Sequence, residues 1–408
     1  MKLKVTGWAM LAVGCFVVTA SGAASAGAQK VVWVSNKSGS MQNDAVVDVP
    51  VATPAANWSA RVGKAVVPAQ YMPDTHSVRF VVSLKAHENV TVTLLPQAAP
   101  PSPKRVQVTL NVQEGGTLHG DATDGGAISG GTFHLHNSYT VPKDHFLHDG
   151  LLGFEGIGWE SDRVAYRLYM DQRNVTDLFG KFTTDMIFRK VGLGFDDYQY
   201  PRSWGGDIFK VGPSLGVGGI GLLRDGKATQ IGPATITGRM VADGPVTAIA
   251  GVDADAIAGG AGAIHATYAI SAGSTLTWVR AHADQVGLPL VTGLTVHTGD
   301  ELIQSETRTG TEWDYVAVWG AQEHGADKVG TVVFYRHGDV VGPPAMDGQT
   351  VFVTFTSQSD AAYASAGRWE QENKDVQGYA PIKDLGGFKA WLETQRAELN
   401  TPSVVAAP

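Results

Sequence analysis

Short runs of β-branched and aromatic residues, separated by turn-forming residues, fill the first part of the chain. Such runs predict strands at 31–34, 45–49, 78–82 and 90–95. Four prolines then fall between residues 96 and 103, a density that is typical of a stiff linker. We therefore predict a small N-terminal β-sandwich over residues 27–96 and a proline-rich linker over residues 97–105.

The pattern beyond the linker is again that of many strands. Runs of the same kind lie at 106–110, 164–170, 234–241, 246–252, 275–279, 290–296, 316–319, 330–335 and 350–356. Long helices do not alternate with these runs, which argues against a doubly wound parallel sheet. One helix is predicted near the end, because apolar residues recur there at helical spacing, with Phe388, Trp391, Leu392, Gln395 and Leu399 on one face. The fold class predicted is all-β, with a large antiparallel β-sandwich over residues 106–408 and a C-terminal helix.

The first residues have the pattern of a secretory signal peptide, which we place at residues 1–26. Two lysines precede an apolar run from Gly7 to Ala20, and Ala24-Ser25-Ala26 forms a cleavage site of small residues. The run is shorter than the roughly 18 to 20 residues that cross a bilayer, so no membrane span is expected after cleavage. Cys15 is the only cysteine and would be lost with the leader, so the mature chain would have no thiol. A periplasmic or secreted location is therefore expected.

The net charge of the chain indicates which classes of binding partner to expect. The 408 residues include 31 basic and 39 acidic side chains, which gives a formal net charge of −8. Nucleic-acid binding is not expected, because an acidic chain has no excess of cations to neutralise phosphates. A hydrophobic fraction of 43% excludes extensive disorder.

One stretch of the sequence is dense in charged and aromatic residues. On a strand over residues 164–170, side chains alternate between two faces, and Arg163, Arg167, Tyr169 and Arg173 would share one of them. Arginines on a concave face can hold carboxylates through paired hydrogen bonds. The alternative is an ordinary solvated face on which arginine and aspartate pair with one another.

Histidines cluster just before this stretch. His134 and His136 are spaced to point the same way from a strand, and His145 and His148 lie in the loop before Glu155. Imidazoles transfer protons near neutral pH, which makes these histidines candidates for acid–base catalysis. No cofactor is required for that chemistry. His134 and His136, together with His145 or Glu155, could also bind a divalent metal such as Zn or Ca. The remaining alternative is that these are loop histidines that hydrogen-bond to nearby carbonyls.

A third cluster resembles a sugar-binding surface. Aromatic rings stack on the apolar faces of sugars, while charged groups bond the hydroxyls, and this segment offers both kinds of group. The candidates for substrate binding are Asp197, Tyr198, Arg202, Trp204 and Asp207. Packing in the core is the alternative for each aromatic residue taken alone.

Several of these segments resemble a secreted bacterial family known as domain of unknown function 4861. The similarity is carried by residues 158–169, Arg173-Asn174, 177–181, 204–212 with 214–216, and Arg368-Trp369-Glu370. The resemblance implies a role in polysaccharide utilisation on pectin-like, uronate-containing glycans. It also implies that the large domain resembles the galactose-mutarotase-like supersandwich. The resemblance does not identify any catalytic residues.

Together these features predict an enzyme that acts on oligosaccharides containing uronates, by β-elimination. Arg163 or Arg167 would neutralise the carboxylate, and a histidine of the cluster, Tyr166 or Tyr169 would transfer the proton. Glu155, Glu160 and Asp162 could instead supply the carboxylate pair of a glycoside hydrolase. Epimerisation or mutarotation, and glycan binding without catalysis, are the other hypotheses. The partner expected is an oligosaccharide, and no oligomeric state is predicted.

Overall fold

The structure is a computed structural model that describes residues 29–121, 126–143, 145–193, 198–306, 312–322 and 327–407. The chain divides into two compact units. The first contains the described residues up to Lys104, with 244–246 and the residues from Glu393 onward, and the second contains 105–243 and 247–392. The signal peptide predicted at 1–26 lies outside the described residues, and the predicted domain boundaries stay predictions.

One antiparallel sheet of seven strands builds the first unit. Its strands are β1 (Lys30–Ser35), β2 (Gln42–Pro50), β3 (Trp58–Val62), β4 (Ala65–Met72), β5 (Ser77–Leu84), β6 (Asn89–Leu95) and, from the far end of the chain, β30 (Val404–Ala406). They lie in the order β2-β5-β4-β3-β6-β1-β30. Alternate apolar residues point to one core, in which Val34, Val47, Phe80 and Leu94 are fully buried.

A nine-stranded antiparallel sheet is the larger layer of the second unit. In spatial order its strands are β12 (Ser138–Thr140), β19 (Thr235–Asp243), β20 (Thr247–Asp255), β21 (Ala263–Ser271), β22 (Leu276–Asp284), β29 (Asp360–Trp369), β26 (Lys328–Arg336), β25 (Trp313–Ala321) and β24 (Glu301–Gln304).

Two five-stranded sheets make the opposite layer. In spatial order, one consists of β16 (Gly205–Asp207), β15 (Thr176–Lys181), β14 (Ala165–Tyr169), β13 (Gly156–Ser161) and β7 (Val106–Thr109). The other consists of β18 (Lys227–Thr229), β17 (Val217–Arg224), β23 (Leu290–Thr295), β28 (Thr350–Thr354) and β27 (Ala345–Asp347). Two small pairs complete the unit, β8 (Asn111–Glu114) with β11 (Thr132–Leu135) and β9 (Thr117–His119) with β10 (Ala127–Ser129).

Contacts between the layers show a sandwich. Trp159 of β13 stacks on Tyr268 of β21, with ring centroids 4.7 Å apart. Tyr363 of β29 donates a hydrogen bond of 2.6 Å to the carbonyl oxygen of Gly218 on β17. Both five-stranded sheets therefore pack against the nine-stranded sheet, and the predicted all-β sandwich is confirmed.

The predicted C-terminal helix is also confirmed, as α1 (Leu385–Asn400). Phe388 is fully buried and stacks on Trp319 of β25, with ring centroids 5.1 Å apart. A glycine at position 330 of β26 allows this packing, because a Cβ there would lie 2.5 Å from the Phe388 ring. Short 3-10 helices lie at Pro73–Thr75, Gly153–Glu155, Ile257–Gly259 and His337–Asp339. Within the described residues, no helix has the length and apolar character to cross a membrane.

Candidate active site

The candidate site lies on the outer face of the sheet formed by β13 to β16. Side chains alternate along β14, so Arg167 and Tyr169 share one face while Tyr166 points into the sandwich. The register pairs Arg167 with Asp177 on β15, and Phe179 of β15 with Asp207 on β16. Strand pairing thus brings a guanidinium, a phenol and two carboxyl groups together from three strands.

Arg167 is the centre of this cluster. Its side chain is only 3% exposed, and its Nη2 donates to Asp177 at 2.6 Å and to Asp207 at 2.7 Å. Nη1 donates to the Tyr198 hydroxyl at 3.1 Å, and the Tyr169 hydroxyl donates to Asp177 at 2.6 Å. A buried charge needs such partners to offset its lost hydration. The guanidinium is therefore used inside the protein and organises the site, whereas we had expected it to hold a substrate carboxylate.

Glu155 forms a second centre, next to Arg167. One of its oxygens lies 3.2 Å from Nδ1 of His148, and the other accepts a hydrogen bond of 2.6 Å from Arg173. The Tyr198 hydroxyl donates to it at 3.2 Å. Three donors thus hold this carboxylate in place, and it orients the imidazole of His148 through a single ring nitrogen.

The backbone is strained at this point. His148, Phe154 and Glu155 have positive φ angles of 64°, 39° and 63°, a region that side-chain-bearing residues rarely occupy. Such residues persist only where the surrounding structure fixes them, and they cluster at functional sites. The strain supports the assignment of the His148–Glu155 pair to a site.

The surroundings shift the pKa values of Glu155, His148 and Asp207 in different directions. Burial raises the pKa of the Glu155 carboxyl, but the hydrogen bond from His148 and the charges of Arg167 and Arg173 outweigh it, so the pKa lies well below its usual value. The hydrogen bond to Glu155 raises the pKa of His148, although burial opposes it. Burial and the neighbouring charge of Asp177 raise the pKa of Asp207 to about 8, against the effect of Arg167. The surroundings thus favour the ionised form of Glu155 and the protonated form of Asp207.

These groups surround a pocket of about 270 Å³. Its lining includes the following residues of the cluster and the adjoining loops: His148, Glu155, Arg167, Tyr169, Arg173, Gln199, Asp207, Phe209 and Lys210. Apolar rings and polar groups converge there, which is the composition of a small-molecule site. Sequence reasoning missed Gln199, Phe209 and Lys210, although the last two lie in the family-like segment 204–212.

Only one of the four candidate histidines lines this pocket. His134 and His136 lie beside Glu114, at 4.0 and 3.0 Å from its carboxylate. His145 pairs with Asp149 at 2.6 Å, and both side chains are buried. We retain only His148 in the proposed site, because the other three contact local carboxylates.

Two further candidates belong to the core. Tyr166 is fully buried, and its hydroxyl donates to the carbonyl of Thr275 at 2.7 Å. Glu160 is fully buried in an ion pair of 3.0 Å with Lys181. Tyr166 lies inside the sandwich. Glu160 lies on the same face of the sheet as Arg167, but Lys181 and the backbone amides of Ile187 and Phe188 engage its carboxylate, and it does not line the pocket. We therefore leave both out of the proposed site.

The remaining candidates for substrate binding either do not line the pocket or fall outside the described residues. Arg163 lies over the ring of Tyr379, 4.8 Å from its centroid. Trp204 stacks on Phe179 with centroids 6.5 Å apart, and the backbone of Arg202 forms a bridge with Gly205. Asp197 falls outside the described residues. Their roles in binding stay predictions.

No group of three or more His, Cys, Asp or Glu among the described residues is arranged to hold a metal ion. The divalent metal considered from the sequence therefore stays a hypothesis without a ligand set in that part of the chain.

Comparison with known proteins identifies a family and several solved structures, two of which are described here. The sequence model of a family described as "Domain of unknown function (DUF4861)" matches residues 34–405. No curated protein matches the chain. Among solved structures, an alpha-mannosidase from Enterococcus faecalis is 9% identical, with a TM-score of 0.42, over 93% of this chain and 46% of its own. A protein in the glycosyl hydrolase family 38 from Enterococcus faecalis is 11% identical, with a TM-score of 0.38, over 93% of this chain and 47% of its own. The chain thus spans about half the length of the solved structures it matches.

Proposed function

Because the chain belongs to the family described as Domain of unknown function (DUF4861), its activity must be inferred from its own site, and we propose that it is a carbohydrate-active enzyme. The pocket combines the ring of Phe209 with polar groups from Gln199, Asp207 and Lys210. Rings that stack on a sugar and polar groups that bond its hydroxyls are what a saccharide requires.

The reaction we propose is β-elimination from a uronate, with His148 as the proton acceptor. The observation that carries it is the His148–Glu155 pair. Glu155 already accepts hydrogen bonds from Tyr198 and Arg173, so it serves better to orient the imidazole than to attack a sugar. The Nδ1 atom of His148 faces Glu155, which leaves Nε2 for the substrate.

Another lining residue suits the remaining steps of an elimination. Lys210 places positive charge in the pocket, which would neutralise the uronate carboxylate and stabilise the charge that develops as the C5 proton leaves. The electron pair of the broken C–H bond forms the C4–C5 double bond, and the C4–O4 bond breaks. The departing O4 would take up a proton from water, which reaches the pocket beside the exposed side chain of His148.

Glycoside hydrolysis is the second candidate, and one observation favours it. The pKa of Glu155 is lowered while that of Asp207 is raised, and a glycosidase needs one ionised and one protonated carboxyl group. We rank it second because His148, Arg173 and Tyr198 all engage the carboxylate that would have to act.

A panel of galacturonan, alginate and glucuronan oligosaccharides tests the proposal. We expect ultraviolet absorbance from an unsaturated uronate, and His148→Asn should reduce its formation by about 100-fold or more, the usual contribution of a general base. His119→Asn, at an exposed histidine of β9 outside the pocket lining, is the matched control and should keep the rate. New reducing ends without absorbance would establish hydrolysis instead. Affinity without any product would identify a binding protein and refute the enzyme.

We also propose that the protein acts in the periplasm or outside the cell. The proposal depends on the leader predicted at residues 1–26. N-terminal sequencing of the exported protein should find a start at residue 27, and an uncleaved chain in the cytoplasm would contradict it.

A further inference from the structure

The pocket has a buried floor and an exposed rim. On the floor, the side chains of Arg167 and Asp207 are 3% and 10% exposed. At the rim, the side chain of His148 is 64% exposed, and Gln199 and Lys210 are exposed as well. The hydrogen-bonded network around Arg167 forms this floor.

The size of the pocket limits what can enter. Its volume of about 270 Å³ lies just below the range of roughly 300–1,000 Å³ for pockets that hold drug-sized ligands. A single sugar ring with its carboxylate fits such a volume, whereas two linked rings and their substituents approach a drug-sized ligand.

We propose, on the basis of the proposed function, that the pocket accepts one terminal uronate of an oligosaccharide and releases it as an unsaturated monosaccharide. The position of His148 at the rim carries this proposal, because it places the proton acceptor beside the mouth through which the rest of the chain must leave. The cationic Lys210 lines the same pocket, so the sugar that is inserted is also the one whose carboxylate is neutralised.

This geometry selects the reducing end of the oligosaccharide. The inserted sugar loses its C5 proton to His148, and its own C4–O4 bond breaks as the double bond forms. The remainder of the chain is attached at O4, so it departs with that oxygen and takes up a proton. The inserted sugar therefore has no further residue at its anomeric carbon, and each turnover shortens the chain by one unit.

A pentagalacturonate labelled at its reducing end tests the inference. We expect the label in an unsaturated monosaccharide from the earliest sample, together with an unlabelled tetramer. Unsaturated dimers or trimers at the same early time would overturn the inference, while the proposed elimination would stand.

If the oligosaccharide panel gives no product, binding measurements still test whether the pocket encloses a single uronate, independently of the proposed enzymatic function. Galacturonate and trigalacturonate should then bind with dissociation constants within about 3-fold of each other, because only one unit is enclosed. A gain above about 10-fold for the trimer would overturn it, because further units would then be held. Lys210→Gln should weaken galacturonate binding by about 10-fold or more, as expected for a lost charged contact. Lys227→Gln, at an exposed lysine of β18, is the matched control and should leave the affinity unchanged.

Discussion

At the scale of single residues, the site depends on how Glu155 is held. Its carboxylate accepts hydrogen bonds from His148, Arg173 and Tyr198, and its backbone has a strained positive φ angle. This combination keeps Glu155 ionised and makes the imidazole of His148 more basic than a free histidine. The acid therefore controls the pH at which the proposed base becomes available.

Glu155→Gln should lower the pKa of His148, because the neutral amide no longer stabilises the imidazolium ion. The unprotonated imidazole then forms at a lower pH, so the acidic limb of the kcat/KM profile should move to lower pH. An NMR titration of the His148 ring measures the same pKa without turnover. Glu301→Gln, at an exposed residue of β24, is the control. An unchanged His148 titration would show that the carboxylate does not tune it.

Part of this residue pattern could be predicted from the sequence. Alternation along one strand placed Arg167 and Tyr169 on a common face, as the structure has them. The partners of Arg167 could not be predicted, because Asp177 and Asp207 come from strands whose register depends on the whole sheet. Without knowledge of these two partners, the sequence predicts an arginine that is available to bind a ligand.

At the scale of elements, one buried ion pair ties β13 to β15. Glu160 and Lys181 are both fully buried, and the Lys181 ammonium group also donates to the carbonyl of Ser161 at 2.8 Å. Glu160 accepts further hydrogen bonds from the backbone amides of Ile187 and Phe188. The strand that carries Arg167 lies between these two strands, so this pair spans β14 on the same face as Arg167 and braces the sheet beside the site.

Lys181→Met should lower the free energy of unfolding by about 3–5 kcal/mol, because it leaves the Glu160 carboxylate buried without its counter-ion. Adding Glu160→Gln should recover part of this loss, since the unpaired charge is then removed. Denaturant unfolding measures both changes. Lys227→Met, on the exposed strand β18, should stay within about 0.5 kcal/mol of the parent. A loss equal to that of this control would mean that the pair is not needed.

The strands themselves were only partly predictable. Runs rich in valine were identified, but β17 and β29 are rich in glycine and alanine, which have low β propensity. Their role is close packing. At Gly218, a Cβ would lie 2.4 Å from the Ser365 side chain, so these strands form where the layers approach most closely.

At the scale of the whole molecule, the first unit is completed by residues from the far end of the chain. β30 pairs antiparallel with β1, so that Trp33 lies opposite Ala406 and Val34 opposite Val405. Val405 is 3% exposed and belongs to the same core as Val34. Local sequence patterns carry no information about which distant strands pair, so this closure could not be predicted.

Deleting residues 402–408 should therefore loosen β1. We expect amide hydrogen exchange in β1 to rise by about 10-fold or more, because the strand loses its neighbour and part of its core. Mass spectrometry of peptides from β1 measures this, and peptides from β14 in the second unit provide the internal control. Equal protection of β1 in both proteins would refute a stabilising role for β30.

The pairing of β30 with β1 also sets the order in which the protein can be completed. During translation, β1 leaves the ribosome early, while its partner at 404–406 appears only after the entire second unit has been made. Until then, the amides and carbonyls along one side of β1 have no neighbouring strand, and an open edge of this kind attracts other chains. The sheet of the N-terminal unit thus stays incomplete until residues 404–406 have been made, and its protection from aggregation depends on their synthesis.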